Sequence, residues 1–266
     1  MNVGVIGYKG FVGSAFFKVF SKDKKYICTG IGHDDFEEAK NQRFDVLINA
    51  DGSSSKLLAD NDALKDFEKN VTSTMLFLNE LRYKSYLHVS SVEVYNTKNS
   101  FQKTKEDLNI DPIPLSNYGF SKYLSELIVK RYAHNWIIIR LAGMVGEGMK
   151  KGAVYDLITR HKLFVSKQSR YQFIETKEVA RISKILIERK RFGEIYNIVG
   201  KRNIELSKVA RIFKVKLTSN GKDKYIFNVS TNKLEKEINL PTTIRTVKDF
   251  YNKIKSGSVR IYIQEP

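Results

Sequence analysis

Tyr118 and Lys122, four residues apart in Tyr118-Gly119-Phe120-Ser121-Lys122, have the types and spacing of a proton-transfer pair. On a helix this spacing puts both side chains on one face, where an ammonium stabilises a phenolate. That matters because an unperturbed tyrosine titrates at about pH 10 and is a poor base at neutrality. Taken alone, the pair equally fits the surface of an amphipathic helix. Ser90-Ser91 ends an apolar run that starts at Tyr86, and places a hydroxyl where it can meet the pair. The third feature is Gly7-Tyr8-Lys9-Gly10-Phe11-Val12-Gly13, between an apolar run and a helix-like segment. Glycines there let the backbone turn sharply and approach a pyrophosphate, and the free amides of a helix start receive its charge. A tight turn that merely needs positive φ is the alternative for such a loop.

The elements that must position these groups follow from periodicity. Asn2 to Ile6 reads as a strand and Ser14 to Phe20 as a helix, with further strands at Tyr26 to Ile31, Phe44 to Asn49, Tyr86 to Ser90 and Trp136 to Leu141. Helical stretches cover Ala63 to Arg82 and Tyr118 to Tyr132. Alternating strands and helices predict an α/β fold, a Rossmann-type parallel sheet with helices on both faces and ligands at the carboxyl ends of its strands. About a dozen residues separate the second strand from Phe44, too few for a full helix and a further strand–helix unit, so one such unit is abbreviated or missing. Beyond Gly143 the pattern breaks into shorter pieces, helix-like at Val154 to His161 and Lys177 to Glu188 and strand-like at Glu194 to Val199. The expected division is a dinucleotide-binding domain over 1–143, with parts of the later chain, and a smaller C-terminal substrate-binding lobe mainly over 144–266.

Composition narrows the function classes. A single cysteine, Cys28, excludes an internal disulfide, and four scattered histidines lack the spacing of a metal site. No apolar run reaches the roughly 18 residues of a membrane span, and the N-terminus enters an apolar strand with no basic leader, so no membrane partner and a cytoplasmic location are expected. The formal charge of +17 raises polyanion binding. Nucleic acid is disfavoured as a partner but not excluded, because the basic clusters Lys22 to Lys25 and Arg189 to Arg191 are short and no zinc-finger or RNA-recognition signature accompanies them.

Together these residues resemble the extended short-chain dehydrogenase/reductases, the NAD-dependent epimerase/dehydratase family. GYKGFVG stands at the N-terminus, VSSVEVY at Val89 to Tyr95 and YGFSK at Tyr118 to Lys122, in the family's order. Asn70-Val71 with Thr74 is similar to its N-V-x-G-T segment, and Arg140 to Gly148 to its R-L-x-N-V-Y-G-P-G segment. Phe173-Ile174 through Ala180 and Gly193 to Gly200 are similar to its F-V-Y-V-D-D-V-A and G-E-x-Y-N-V-G segments. The resemblance runs from residue 1 to about 250. It implies that Tyr118 is the catalytic acid/base, that Ser91 orients a sugar oxygen, and that Lys122 holds the nicotinamide ribose and lowers the tyrosine pKa. It implies NAD or NADP as cofactor, cradled by Gly7, Tyr8, Lys9, Gly10, Phe11, Val12 and Gly13, with Asp34, Ala50, Asp51, Gly52, Asn70 and Ser90 as further cofactor contacts. A nucleotide-sugar substrate near Ser91, Gly143 and Arg170, and a homodimer formed through the helices at Ala63 to Arg82 and Tyr118 to Tyr132, complete the expectation.

The departures from the family pattern bear on the reaction. The acidic residue that usually ends the second strand is replaced near Gly30-Ile31, with Asp34 and Asp35 a few residues late, which leaves NAD against NADP open. Asp34-Asp35 also reads as a helix N-cap before Phe36. Asp51 is unusual after the third strand, where it is either a ligand contact or a solvated carboxylate. In the later half, Tyr171 stands where the family's diphosphate-binding arginine falls, with Arg170 one position early, and Gly143 stands for its asparagine. Glu93 lies where the family's dehydratases and decarboxylases keep a further acid/base, but Val92 replaces the neighbouring aspartate of the glucose dehydratases. The leading function is a nucleotide-sugar epimerase or 4-keto reductase acting at C4 of a hexose. The alternatives are a 4,6-dehydratase or decarboxylase using Glu93, and a non-catalytic dinucleotide- or RNA-binding protein.

Overall fold

The computed structural model describes residues 1–261. The chain opens with β1 (Asn2–Ile6), α1 (Gly13–Ser21), β2 (Ile27–Ile31), α2 (Phe36–Ala39) and β3 (Arg43–Asn49). Next come α3 (Lys56–Asn61), α4 (Ala63–Phe67), a π-helical turn (Glu68–Thr72), α5 (Ser73–Glu80), β4 (Arg82–Ser91), α6 (Asn117–Tyr132) and β5 (Trp136–Leu141). The remainder holds β6 (Gly143–Val145), α7 (Ala153–Arg160), β7 (Lys162–Leu163), β8 (Arg170–Tyr171), β9 (Phe173–Glu175), α8 (Thr176–Glu188) and β10 (Glu194–Ile198). It ends with β11 (Ile204–Glu205), α9 (Leu206–Phe213), β12 (Ser219–Asn220), α10 (Asn232–Glu235) and α11 (Thr243–Lys255). The chain forms two compact units, one of Met1–Asn96, Glu106–Leu141 and Ala180–Asn197, the other of Thr97–Lys105, Ala142–Val179 and the chain from Ile198 onward.

The first unit is built on a six-stranded sheet in the order β10-β5-β4-β3-β1-β2, parallel through β1 to β5. Its strands are apolar on both faces, with Val3, Val5, Leu47, Ile48, Ile137, Ile138 and Ile139 all buried, as a sheet covered on both sides requires. Because the strands run the same way, Ile6, Asn49 and Ser91 finish along a common edge, where ligands of such sheets bind. The four-residue α2 leads straight from β2 into β3, which pairs with β1. One strand–helix unit is indeed absent, and β2 is left as the sheet's edge.

The segment expected as one helix from Ala63 to Arg82 is interrupted by the π turn and stops at Glu80, since Leu81 is extended and buried. β4 accordingly starts at Arg82, in register with Arg43 of β3, four residues earlier than the apolar pattern suggested. Most of α8 and β10 belong to the first unit although they lie beyond residue 143. The second unit carries three two-stranded ladders, β6 with β9, β7 with β12 and β8 with β11. Its core includes Phe173, Leu206, Val209, Val247 and Phe250.

At the end of β1 the turn into α1 is packed to the backbone limit. A Cβ on Gly13 would lie 2.1 Å from the carbonyl oxygen and 2.7 Å from the carbonyl carbon of Gly7, and a backbone cannot yield as a flexible side chain does. A Cβ on Gly10 would lie 3.1 Å from that oxygen. Gly13→Ala is therefore expected to destabilise the protein by about 2–4 kcal/mol, and Gly10→Ala by distinctly less. Denaturant midpoints of the two variants measure the difference.

Candidate active site

The glycine-rich turn is fixed by its own backbone. Gly7 sits at φ +73 and its amide donates to the Ile31 carbonyl at 2.9 Å, while the Gly10 amide donates to the Gly7 carbonyl at 2.8 Å. A Cβ on Gly7 would meet the Asp51 backbone at 3.0 Å, so this turn runs against the Ala50-Asp51-Gly52 turn that follows β3. α1 has no side-chain cap at Val12 and no acidic residue in its first turn, which leaves the positive end of its dipole available to an anion. The Tyr8 ring packs against Phe17, with centroids 5.4 Å apart, and the Lys9 ammonium lies 5.4 Å from the Tyr8 ring centroid.

Asp34 is not brought back to this turn. Its side chain is 86% exposed and lies 3.7 Å from the imidazole of His33, itself fully exposed. Asp35 occupies the N-cap position of α2, yet its carboxylate accepts from the Gly32 amide at 3.0 Å instead of capping the helix. The short α2 begins at Phe36, directly after the Asp34-Asp35 pair, and Asp34 is turned outward.

The tyrosine and lysine lie on α6, whose first turn is capped by the Ser116 hydroxyl, accepting from the Gly119 amide at 3.2 Å. Both are buried. Ser91, at the last position of β4, lies near enough to the Tyr118 phenol to favour its ionised form, and its Oγ accepts from the Glu93 amide at 3.2 Å. Lys122 donates from Nζ to the Val89 carbonyl at 2.8 Å. Burial pushes the Tyr118 phenol up to about 12, opposed by the Ser91 hydroxyl and reinforced by the charges of Glu93 and Asp66. This reverses the direction expected from the spacing: desolvation dominates, and Lys122 is not among the groups that shift the phenol. Burial pulls Lys122 down to about 8, with Glu126, Asp66 and Asp51 opposing.

Around the pair lies a buried polar layer. Glu126 and Arg140 are both fully buried, and Arg140 donates from Nε and Nη2 to the two carboxylate oxygens at 2.9 and 2.7 Å. Ser90 donates to Glu126 at 2.6 Å, so its side chain is committed to the carboxylate. The Arg140 guanidinium also covers the Tyr95 ring at 4.8 Å, and Tyr95 donates to Asn197 of β10 at 2.9 Å. Asn70 sits in the π turn and donates to the buried Asp66 carboxylate at 3.0 Å; Asn70 Oδ1 and Asp66 Oδ2 are buried with no hydrogen-bond partner. π turns of this kind recur at functional sites. A Cβ on Gly52, at φ +121, would fall 2.6 Å from that same Asn70 oxygen. Asp51 is solvated, yet its charge is felt at Lys122.

Glu93 is buried beside Ser91 and forms an ion pair with Lys56 of α3 at 2.7 Å. Lys56, Asp66 and Glu126 escaped the sequence reading. Asp66 precedes Asn70 by four and Glu126 follows Lys122 by four, a spacing that marks a shared helix face. Lys56 carries no such signal. In the second unit, Gly143 has no room for the family's asparagine, because a Cβ there would lie 2.8 Å from the Phe173 ring. The half-exposed Arg170 guanidinium lies 3.7 Å from Glu205, and Tyr171 stacks on Phe173 and Phe227.

Residues 3–199 match the family model described as NAD dependent epimerase/dehydratase family. The chain belongs to this family. It carries the extended short-chain dehydrogenase/reductase fold, with no helix among the described residues long and apolar enough to cross a membrane. No curated protein matches it. Among solved structures it is similar to the UDP-glucuronic acid 4-epimerase of Bacillus cereus in complex with UDP-glucuronic acid and NAD, at 18% identity and TM-score 0.79, covering 96% of this chain and 99% of that one. RMD from Pseudomonas aeruginosa, complexed with NADPH, superposes at TM-score 0.82 and 16% identity with coverages of 96% and 99%. The UDP-glucose 4-epimerase of Thermotoga maritima, with UDP-glucose, gives 0.76 and 14% with coverages of 97% and 100%.

The lowered lysine pKa has a thermodynamic signature. Folding favours neutral Lys122, so between about pH 8 and its unfolded value of 10.5 the unfolded chain binds more protons and stability rises with pH. Lys122→Met carries no such term. The stability of wild type relative to Lys122→Met is expected to rise by about 3 kcal/mol across that window, which denaturant midpoints at a series of pH values report.

Proposed function

We propose that this protein is a cytoplasmic nicotinamide-dependent enzyme that acts by hydride transfer at C4 of a nucleotide-linked hexose, as an epimerase or a 4-keto reductase. The observation that carries the reading is the buried Tyr118 phenol under the influence of the Ser91 hydroxyl at the end of β4, with Lys122 on the same helix and the glycine-rich turn in the same unit. The residues fit a dinucleotide: the uncapped α1 start and the glycines packed to the backbone limit suit a pyrophosphate, and the orphaned Asn70 oxygen offers a buried acceptor. Gly7, Tyr8, Lys9, Gly10, Phe11, Val12 and Gly13 would hold it, with Ala50, Asp51, Gly52, Asn70 and Lys122. When bound, either NAD or NADP supplies the hydride acceptor and donor.

Tyr118 moves the proton. Held protonated at neutral pH, its phenol donates to a sugar carbonyl oxygen as that oxygen becomes an alkoxide, and the phenolate takes the proton back in the reverse direction. Ser91 fixes the sugar oxygen against the phenol. Lys122, one turn along α6 from Tyr118, supplies positive charge. The structural relatives crystallised with UDP-sugars and with NAD or NADPH support this substrate and cofactor class. Against dehydration, Glu93 is engaged by Lys56 in an ion pair at 2.7 Å, and buried Val92 supplies no second acid.

Incubation with UDP-, GDP- and dTDP-hexoses and each dinucleotide, followed by NMR, is expected to show inversion at C4 or reduction of a 4-keto sugar. Tyr118→Phe should lower turnover by at least about a hundredfold, and unchanged turnover would sink the assignment. A tightly retained NAD marks the epimerase, and consumption of NADPH the reductase.

A homodimer is part of the proposal. Leu64 and Phe67 of α4, Leu76 of α5, and Phe120 and Leu127 of α6 are exposed, and α5 packs on α6, so their apolar side chains crowd one helical layer. Light scattering is expected to give a dimer for the wild type and a monomer for Leu76→Asp with Leu127→Asp.

A further inference from the structure

The charge of +17 is divided unequally. Of the 46 basic and 29 acidic residues, the first unit holds 21 and 19, and the second unit 25 and 10. The dinucleotide-binding type of fold is nearly neutral, and almost the whole excess belongs to the second unit. A sugar nucleotide brings only two negative charges and does not account for it.

The excess is concentrated on one strip. α9 buries Leu206, Val209, Ala210 and Phe213 and turns Lys208 and Arg211 outward. Lys214 and Lys216 follow. The chain is then tied to the end of α7 and to β7, with Thr218 donating to the His161 carbonyl at 2.8 Å and Gly221 to that of Leu163 at 2.9 Å, and Lys222 and Lys224 come next, exposed. α11 lies alongside, its Phe250 and Tyr251 against Phe213, and adds exposed Lys248 and Lys255. Among the described residues no carboxylate forms an ion pair within 4 Å with any of these cations; Glu205, which feels Lys208 and Arg211, is held by Arg170 and Ser207, Asp249 by Arg245, and exposed Asp223 between Lys222 and Lys224 is the one acidic residue of the 214–224 segment. Like charges so close repel one another, and nothing in the packing requires them.

We propose that α9 and the segment 214–224 form a binding surface for single-stranded nucleic acid, held through its phosphates. An anionic lipid surface would need apolar side chains to enter the headgroup layer, and α9 and the 214–224 segment expose none that is large. Two exposed aromatic rings lie beside them, Tyr225 next to Lys224 and Phe164 against Gly221 with the Arg160 and Lys162 cations over it, which suits bases stacked beside phosphate contacts. This surface does not depend on the reaction assigned to the first unit.

The test is fluorescence polarisation of the full chain with a labelled oligouridylate of about 20 nucleotides over a salt series. Five phosphate contacts give a slope of log K against log salt of about −3.5. K208E/R211E/K222E/K224E is compared with K22E/K24E/R43E/R82E, which removes the same charge from the first unit. The first variant is expected to lose at least about tenfold in affinity and the second to bind much as wild type. K222Q/K224Q, on the connecting segment outside any helix, should lose several-fold and serves if the four-site variant does not fold. Absence of salt-dependent binding, equal losses in both four-site variants, or capture by phosphatidylserine vesicles without affinity for the oligonucleotide would each overturn the proposal.

Discussion

The buried Glu126–Arg140 pair is the interaction on which the site's geometry rests. Two charges removed from water impose a large desolvation cost, and removing one partner from such a pair typically costs about 3–5 kcal/mol. Here the carboxylate is satisfied by a two-point guanidinium contact and by the Ser90 hydroxyl, and the guanidinium rests on the Tyr95 ring. Glu126 belongs to α6, Ser90 to β4 and Arg140 to β5. The pair therefore pins the rotation of α6 against the sheet, and that rotation decides where Lys122, one turn earlier, and Tyr118, two turns earlier, meet the end of β4.

Once α6 is pinned, burial sets the protonation of the groups it carries. Desolvation disfavours every charged form, so one environment raises the phenol and lowers the ammonium, moving the two titrations apart and leaving the phenol the more firmly protonated of the pair. His88 behaves consistently: burial and the nearby Lys122 charge hold it well below its ordinary value, and its neutral ring pairs with Ser125 at 3.0 Å. The result is a protonated phenol poised against a serine hydroxyl, with Lys122 as the adjacent cation.

What was legible in the sequence was local. The strand–turn–helix at Gly7 to Gly13, the shortened connection before Phe44 and the common face of Tyr118 and Lys122 follow from steric limits and periodicity acting over a few residues. What was not legible depends on contacts between distant segments. Lys56 meets Glu93 only because α3 folds back over the end of β4. The Ser90 hydroxyl is lost to a carboxylate 36 residues away, and nothing in Ser90-Ser91 says which hydroxyl faces which way. The phenol's direction of shift was misjudged because spacing reveals the neighbouring charge but not the loss of water, which here outweighs it.

The missing acidic residue after β2 has a steric explanation. A Cβ on Gly30 would lie 2.5 Å from the Tyr8 ring, and one on Gly32 would meet the Asp35 carboxylate at 3.0 Å and the same ring at 3.5 Å. Ile31 between them is fully buried in the core. Tyr8, from the glycine-rich turn, thus fills the space in which a carboxylate at this strand end would stand. The two departures are one: an aromatic residue in the turn requires glycine across from it, and the β2 end gives up its acid. With β2 at the sheet edge and α2 only four residues long, nothing replaces that acid from the next strand–helix unit. The end of β2 therefore presents the Tyr8 ring with the Lys9 ammonium beside it, and a Gly32–Asp35 turn whose carboxylate is held on the Gly32 amide.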